Sequence, residues 1–378
     1  MRRHHHPRLT STVLVAACVG AGTLVASGLV PAPEARAATT AQYRYRELPA
    51  LGGGGWSEPG AINGAGTVVG TSNGHAYRWK GGVLTDLGDG LPGPGGESSA
   101  RAVNLAGVVV GQSNVDNENP PHAVRWAGGV LTDLGTGYGV GSGSSARGIN
   151  ADGVVVGIHY ARQSSPVRAA MWRAGKVIDL GSLGGTTTGS YGTISEANAV
   201  NDAGQVVGTA LPRSGYPLRG FIWQNGVMRD LGTLGGTSEA TVAEAVNSTG
   251  VVAGFSQTAG GETHGFTWTA GRLRDLGVLG PAFFYRSSFA RGINDAGVVV
   301  GAARVAGAGE PYGHEVATVW RAGVLTDLNR IVPVPTGRRL RLAFDVDNTG
   351  TIVAVSCSIA LCENGGGDDR TVVLRPVG

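Results

Sequence analysis

An apolar step followed by a polar turn recurs along most of the chain. Isoleucine or valine precedes asparagine, two residues and a glycine follow, and then comes a short apolar run. Asparagine can hydrogen-bond its own backbone two residues on, and glycine supplies the positive φ that closes a bulged hairpin. The pattern therefore predicts two strands joined by a tight turn. The step occurs at Ile62-Asn63, Val103-Asn104, Ile149-Asn150, Val200-Asn201, Val246-Asn247, Ile293-Asn294 and, in degenerate form, Val346-Asp347.

Two further markers follow each of the first six steps. One is a tryptophan, which we predict packs between neighbouring sheets because a buried indole removes a large apolar area from water. The tryptophans are Trp79, Trp126, Trp172, Trp223, Trp268 and Trp320. The other is Asp-Leu-Gly or a variant, whose aspartate is expected to accept backbone or arginine hydrogen bonds. These aspartates are Asp86, Asp133, Asp179, Asp230, Asp275 and Asp327.

Each repeat contains four short strand candidates, such as 290–294, 298–301, 316–320 and 324–328. Four antiparallel strands repeated every 40 to 50 residues or so are typical of a propeller blade. Residues 43–48 match the end of a repeat, and the last repeat has three strand candidates. We therefore predict an all-β, seven-bladed β-propeller of four-stranded antiparallel blades, closed into a ring by the N-terminal strand. An open β-solenoid is the alternative, but it would leave sheet edges free to pair with other chains.

Composition agrees with a turn-rich β protein. The chain has 66 glycines among 378 residues, and each glycine inside a helix costs about 1 kcal/mol relative to alanine. The glycines do not follow a strict Gly-X-Y period, which excludes collagen. The hydrophobic content of 42% and the seven tryptophans argue against disorder.

Residues 1–37 resemble a secretory signal peptide: a basic start, an apolar stretch from Leu9 to Val30, and a small-residue cleavage site at Ala35-Arg36-Ala37. We expect a secreted protein whose propeller occupies residues 38–378. The apolar stretch is longer than usual, so an uncleaved membrane anchor is the alternative. The signal holds four of the 30 Lys and Arg residues and one of the 27 Asp and Glu residues, which leaves 26 of each sign. No cluster of basic residues remains to neutralise phosphates, so we expect no nucleic-acid partner.

Two cysteines, Cys357 and Cys362, remain beyond the signal. In an oxidising compartment, thiols this close in sequence are predicted to form a disulfide, although two free buried thiols are the alternative. So short a loop contributes about 2 kcal/mol in the chain-entropy model. No histidine lies near enough in sequence to complete a tetrahedral metal shell. We expect no metal, no cofactor and a monomeric protein.

The repeats resemble the HAF repeat, named for a His-Ala-Phe tripeptide and described as an extracellular repeat. The matching residues are His75-Ala76-Tyr77, His122-Ala123-Val124 and His264-Gly265-Phe266, together with Asp-Leu-Gly-Thr-Leu-Gly-Gly at 230–236. The resemblance covers essentially all of residues 43–378, but Arg168, Arg219, Val316 and Arg370 replace the histidine in four repeats. It implies secretion and a repeat fold, and it implies no activity. We expect the three histidines to form structural hydrogen bonds rather than a ligand site.

The long connections are expected at one end of the sheets, where function concentrates on a rigid scaffold. These connections are 113–122, 158–168, 182–197, 209–219, 278–290, 302–316, 329–342 and 356–370. Aromatic rings there can stack on sugars, and arginine offers a two-pronged donor. The candidate ligand-face residues are Trp56, Tyr160, Arg162, Arg213, Tyr216, Tyr285, Arg286 and Tyr312. We therefore expect a secreted, non-enzymatic binding or structural protein whose partner is an extracellular polysaccharide or protein.

The alternative function is a polysaccharide hydrolase or lyase on the same scaffold. It would need acids about 5–10 Å apart, for which the candidates are Glu118, Glu310, Glu363 and Asp368. Residues 70–74 match the Gly-x-Ser-x-Gly pattern of serine hydrolases. That pattern requires a strand, a sharp turn and a helix, whereas this serine lies in a predicted hairpin. We therefore expect no nucleophilic serine.

Overall fold

The computed structural model describes residues 43–88, 90–91, 96–114, 120–162, 166–185, 194–281, 286–307, 310–362 and 368–377. The predicted signal segment, Tyr285, Glu118 and Glu363 lie outside these residues. The prediction of an all-β fold is confirmed. The described part of the chain contains no helix long and apolar enough to span a membrane.

Short strands make up most of the described chain. The first thirteen are β1 (Tyr43–Glu47), β2 (Ser57–Ile62), β3 (Val68–Ser72), β4 (His75–Lys80), β5 (Val83–Asp86), β6 (Ser98–Val103), β7 (Val109–Ser113), β8 (His122–Ala127), β9 (Val130–Asp133), β10 (Gly143–Ile149), β11 (Val155–Tyr160), β12 (Arg168–Arg173) and β13 (Lys176–Asp179). The others are β14 (Ser195–Val200), β15 (Val206–Ala210), β16 (Arg219–Gln224), β17 (Val227–Asp230), β18 (Val242–Val246), β19 (Val252–Gln257), β20 (Thr263–Thr269), β21 (Arg272–Asp275), β22 (Ser287–Ile293), β23 (Val299–Gly307), β24 (Glu310–Arg321), β25 (Val324–Asp327), β26 (Arg338–Val346), β27 (Ile352–Ser358) and β28 (Arg370–Pro376). Two 3₁₀ segments, Leu51–Gly53 and Leu328–Arg330, and one helix, α1 (Ile359–Cys362), complete the assigned elements.

The described strands form four-stranded antiparallel sets in chain order. We number these sets as sheets 1 to 6, from β2–β5 to β22–β25. In sheet 7, β26, β27 and β28 are followed by β1, which pairs with β28 from Tyr43↔Pro376 to Glu47↔Val372. A single parallel bridge, Thr263↔Ser287, joins sheets 5 and 6 into one larger sheet. The N-terminal strand therefore supplies the fourth strand of the last set.

A β-bulge interrupts the pairing of the first and second strands in every sheet. A bulge adds one residue to one strand and re-aims its side chain. In sheets 1–6 a second-strand glycine lies opposite the bulge: a Cβ on Gly157 would collide with the carbonyl oxygen of Ser145, and one on Gly208 with that of Glu196. The repeated glycine therefore lets the bulged strand approach closely. The inserted residues are Gly60, Arg101, Arg147, Asn198, Glu244, Arg291 and, in sheet 7, Arg341 and Phe344.

The repeated asparagines connect neighbouring sheets. Each asparagine side chain accepts a backbone N–H of its own hairpin, as Asn150 Oδ1 does from Val154 at 2.9 Å. Its amide then donates to the backbone carbonyl of the equivalent residue in the next sheet, as Asn150 does to Asn201 at 3.2 Å. The same bond recurs at each step from sheet 1 to sheet 7, with lengths of 2.7–3.2 Å. The six asparagines are 4–7% exposed, so these bonds are shielded from water.

Other repeated side chains also join sheets. Ser98, at the start of β6, accepts the N–H of Ala76 and donates to the carbonyl of Gly88. Trp126, Trp172 and Trp320 each donate to a backbone carbonyl of the Asp-Leu-Gly segment of the sheet before, as Trp172 does to Gly135 at 3.0 Å. Within a sheet, the aspartate of this segment accepts a glycine N–H and pairs with the histidine or arginine that begins the third strand. These pairs are His75–Asp86, His122–Asp133, His264–Asp275 and Arg168–Asp179.

Sheets 7 and 1 are also in direct contact. The carboxylate of Asp345 accepts the N–H of Ile62 at 3.0 Å, and Ser57 accepts the N–H of Thr371 at 2.9 Å. The second bond matches the one between Ala76 and Ser98 in sheets 1 and 2. Leu48, Trp79 and five further residues of the two sheets form one buried apolar cluster. The seventh turn carries Asp347, which has no amide to donate, so Asp345 makes the contact with sheet 1 instead.

Asp345 makes stability depend on pH. Burial raises its pKa to about 6 from 3.8, so the folded protein holds this proton more tightly than the unfolded chain. Between about pH 4 and pH 6 the folded state binds more protons, and stability falls as pH rises, by on the order of 3 kcal/mol. Asp345→Asn should remove that slope, as measured by urea unfolding across the range. Asp152→Asn, at an exposed turn position, should leave the slope in place; an unchanged slope in Asp345→Asn would contradict the account.

Two predictions about the connections have clear outcomes. Segment 302–316 is wrongly predicted as a loop: β23 and β24 continue the ladder through it, with Arg304 opposite Glu315. The segment contains many small residues, as a loop often does. The ion pair between Arg304 and Glu315, at 3.4 Å, joins the two strands there. The predicted disulfide is confirmed, with the Cα atoms of Cys357 and Cys362 5.5 Å apart.

Candidate functional site

One cavity is lined by the first strands of all seven sheets. Its volume is about 560 Å³, within the range of roughly 300–1,000 Å³ typical of small-molecule sites. We name it the first-strand cavity. In sheets 1, 2, 4 and 5 its lining includes the start of the first strand, which pairs with the end of the second strand, as Glu58 does with Thr71. In these sheets the cavity lies towards the end that carries the second-to-third connection.

The bulges supply the most variable part of this lining. Every bulged residue aligned three positions before the repeated asparagine or Asp347 lines the cavity. The fold thus presents the same backbone position seven times with different chemistry. These residues are Gly60, Arg101, Arg147, Asn198, Glu244, Arg291 and Phe344. Such asymmetry within a symmetric frame is what a specific ligand site requires.

The charged side chains of the cavity are only partly paired with each other. Arg147 donates to the carboxylate of Glu196 at 2.7 Å and to the side-chain oxygen of Asn198 at 2.8 Å. The remaining charged lining residues are two arginines and two glutamates, and within the described chain none of their side chains forms a hydrogen bond or ion pair. These four residues are Arg101, Arg291, Glu58 and Glu244.

Neighbouring side chains shift the pKa values of two of these residues. Burial raises the pKa of Glu244, against the attraction of Arg291 and Arg147, and nearby Glu196 raises it further. Burial lowers the pKa of Arg101, and the like charge of Arg147 adds to that shift. Arg101, Arg291 and Glu58 are nevertheless exposed and Glu244 is partly buried, so their charged groups are open to a ligand.

A smaller groove of about 180 Å³ adjoins the cavity. Thr71 and Ser99 line both spaces, so the two are contiguous. The hydroxyl oxygen of Ser99 is buried and has no hydrogen-bond partner in the described structure. We name this space the Trp56 groove; its other lining residues are Trp56, Gly74, Glu97, Ser98, Gln112 and Asn114.

The comparisons with known proteins show distant likenesses. No protein-family model matches the chain, and no curated protein matches it. The extracellular domain of a hybrid two-component system from B. thetaiotaomicron is 9% identical, with a TM-score of 0.49, over 88% of this chain and 39% of that one. A puromycin-hydrolysing peptidase of Mycobacterium tuberculosis is 15% identical, with a TM-score of 0.46, over 84% and 50%. The SapL1 lectin, in complex with α-methyl fucoside, is 12% identical, with a TM-score of 0.39, over 75% and 97%. At these TM-scores the likenesses do not indicate what this chain binds.

The predicted ligand-face residues are spread over several sheets. Trp56 lines the groove, but none of the seven that the structure describes lines the first-strand cavity. Arg286 forms an ion pair with Glu262 at 3.0 Å, and Tyr160 ends β11 and is partly buried. Tyr312 is exposed and lies in β24 rather than in a loop. Arg162, Arg213 and Tyr216 are exposed at the surface.

Among the predicted acid candidates, Asp368 is the one whose side chain lies within the described residues. Asp368 accepts the N–H of Ser358 at 3.1 Å and pairs with Arg338 at 3.3 Å, so its contacts hold the end of sheet 7 together. The side chain of Glu310 lies outside the description. In the described chain, no group of three or more His, Cys, Asp or Glu side chains is placed to hold a metal ion.

The sequence does contain a signal for the cavity that attention to loops misses. Alanine or glycine flanks the bulge position on both sides in sheets 2–6, as Ala100 and Ala102 flank Arg101. A charged or amide side chain between small residues, three positions before the repeated asparagine, is the signal. The repeated serine at the strand start, present as Ser57, Ser98, Ser144, Ser195 and Ser288, is a second missed feature.

Proposed function

We propose that this chain is a secreted, non-enzymatic binding protein, built as a closed seven-bladed β-propeller, that holds a charged group of an extracellular polysaccharide in the first-strand cavity. The carrying observation is the set of four charged side chains in that cavity, which form no hydrogen bond or ion pair within the described chain and are exposed or partly buried. The cavity opens beside the second-to-third connections, which is consistent with a binding face at that end of the sheets.

Three observations support closure of the ring. In the described chain, buried apolar clusters join each sheet to the next, including sheet 7 to sheet 1. Leu48 donates to the carbonyl of Thr371 at 2.9 Å, as Leu87 does to Ala76. The first-strand cavity takes lining residues from all seven sheets. An open solenoid would have no reason to repeat the same contacts between its first and last sheets.

We also propose membership of the HAF-repeat family and export by residues 1–37. The family assignment is supported by the shared role of its histidines, since His75, His122 and His264 each contact the aspartate of Asp-Leu-Gly at 2.8–3.1 Å. The disulfide between Cys357 and Cys362 supports an oxidising compartment.

Charge-assisted hydrogen bonds explain why the four unpaired residues favour binding. A hydrogen bond to a charged group contributes about 1.5–3 kcal/mol. Guanidinium groups offer paired N–H donors to acidic groups, and carboxylates accept sugar hydroxyls. The lining has three arginines and three glutamates. Their formal charges balance, so binding does not depend on a strongly positive or strongly negative electrostatic potential.

Replacing both unpaired arginines should abolish most binding. On an array of extracellular glycans and bacterial wall polymers, the protein of residues 38–378 should retain one class of polysaccharide reproducibly. Arg101→Gln combined with Arg291→Gln should weaken that affinity at least about 100-fold, because two charge-assisted contacts are lost.

The matched control changes the same number of arginines outside the cavity. Arg162→Gln with Arg213→Gln removes two exposed loop arginines and should leave the affinity unchanged. Retained affinity in the cavity variant would refute the assignment of the site, and a loss confined to the loop variant would favour the loops instead. If the protein binds only other proteins and no polysaccharide, the proposal of a polysaccharide partner is wrong.

A polysaccharide hydrolase or lyase is the second candidate, because three carboxylates converge on the cavity. Glu244 is a partly buried acid of raised pKa, whereas Glu196 is paired with Arg147. Two acids in such different environments can serve as acid and base. Prolonged incubation with the bound polysaccharide decides between the functions: the binding proposal predicts intact chains, and new reducing or unsaturated ends that disappear in Glu244→Gln would establish the enzyme.

A further inference from the structure

We infer that the ligand is an acidic oligosaccharide at least two sugars long, with a uronate in the first-strand cavity and the next sugar against Trp56 in the adjoining groove. This inference rests on the proposed function and adds the ligand's charge, its length and its direction across the surface.

The first step concerns charge. Arg101 and Arg291 have no partner in the described chain, and a carboxylate fits the planar fork of a guanidinium with two parallel hydrogen bonds. The nearby Glu58 and Glu244 limit how much negative charge the cavity accepts. A single carboxylate is therefore better matched than a doubly charged phosphate.

The second step concerns length. The groove continues the cavity through Thr71 and Ser99, so a chain can run from one space into the other without leaving the surface. The unpartnered hydroxyl of Ser99 lies where the two spaces meet.

The third step concerns the groove itself. Trp56 is 37% exposed, and its main chain is held by Asn73, which accepts the Trp56 N–H at 3.1 Å. An aromatic face next to amide and carboxylate groups suits a sugar ring, whose one side is apolar and whose edge carries hydroxyls. Gln112, Asn114 and Glu97 supply the polar groups.

Titration calorimetry on the protein of residues 38–378 tests the inference. The probes are mono-, di- and trisaccharides of galacturonate, of mannuronate, and of glucuronate alternating with N-acetylglucosamine. Carboxyl-reduced trisaccharides of the same linkage are the neutral controls. We expect one acidic series to bind, the trisaccharide about 10-fold or more tighter than the monosaccharide, and the reduced form at least about 100-fold more weakly.

Variants separate the two subsites. Trp56→Ala should remove the advantage of the trisaccharide and leave monosaccharide binding unchanged, whereas Arg101→Gln with Arg291→Gln should weaken both. Trp56→Phe keeps an aromatic face and should retain most of the higher affinity for the trisaccharide. This result would show that the loss in Trp56→Ala does not come from misfolding. Equal affinity for all chain lengths, or an unchanged advantage in Trp56→Ala, would overturn the two-subsite inference.

The failures of the two proposals are distinguishable. If a neutral or phosphate-bearing polysaccharide binds and the arginine variant loses it, the proposed function stands and the uronate inference is wrong. If no polysaccharide on the array binds, both are wrong.

Discussion

Removal of the N-terminal strand should lower the melting temperature of the protein by about 10 °C or more. The strand forms five antiparallel residue pairs with β28. Tyr43 in the strand and Leu48 directly after it are 1% and 2% exposed. Burying one such side chain stabilises a protein by about 1.5–3 kcal/mol. Removal of the strand also leaves the edge of β28 without a pairing strand. The ion pair of Glu47 with Arg370, at 3.8 Å, is lost as well.

Two chains that begin at residues 42 and 49 make the comparison direct. The chain beginning at residue 49 should melt lower in scanning calorimetry, and a synthetic peptide of residues 42–50 should restore part of the loss by adding the strand in trans. Equal melting temperatures would show that sheet 7 does not need β1 and would remove the main support for ring closure.

Asn150→Ala should be the most destabilising single substitution among the repeated polar residues. The side chain is 4% exposed and joins Val154 in its own hairpin to Asn201 in the next sheet. Its removal leaves a buried N–H and a buried carbonyl without this partner, at about 1–3 kcal/mol each. We therefore expect a loss of about 2–5 kcal/mol in the free energy of unfolding, measured by urea denaturation.

Asn150→Asp separates the two roles of this side chain. It keeps an acceptor for Val154 but cannot donate to Asn201, which is the situation of Asp347 in sheet 7. We expect this variant to lose the inter-sheet contact and retain the turn. Asp152→Ala, on the same turn but exposed, should change stability by less than about 0.5 kcal/mol. An effect of Asn150→Ala no larger than this control would contradict the account.

The sequence predicts the strand sets well because their markers are local. The turn at Asn150 and the glycines that follow such turns depend on a few neighbouring residues, so a repeat is visible without knowledge of the sheets. The pairing of 43–47 with β28 was also predictable, because the segment matches the end of a repeat. The disulfide followed from Cys357 and Cys362 being close in sequence.

The proposed site was harder to predict because it depends on register. A strand alternates its side chains between two faces, and the bulge at Arg101 or Glu244 turns this position into the cavity. The small residues around the bulge are visible in the sequence, but their meaning, like that of the glycine opposite, becomes clear only once the strands are paired. Attention to aromatic and arginine residues on the connections named Trp56, which lines the groove, and overlooked the residues that line the cavity.

The most direct test of the account is a crystal structure of the protein of residues 38–378 with the acidic trisaccharide that binds it most tightly. The account predicts a carboxylate of the sugar within about 3 Å of the guanidinium nitrogens of Arg101 and Arg291, with the adjacent ring over Trp56. A trisaccharide bound elsewhere on the protein, with the first-strand cavity empty, would contradict it.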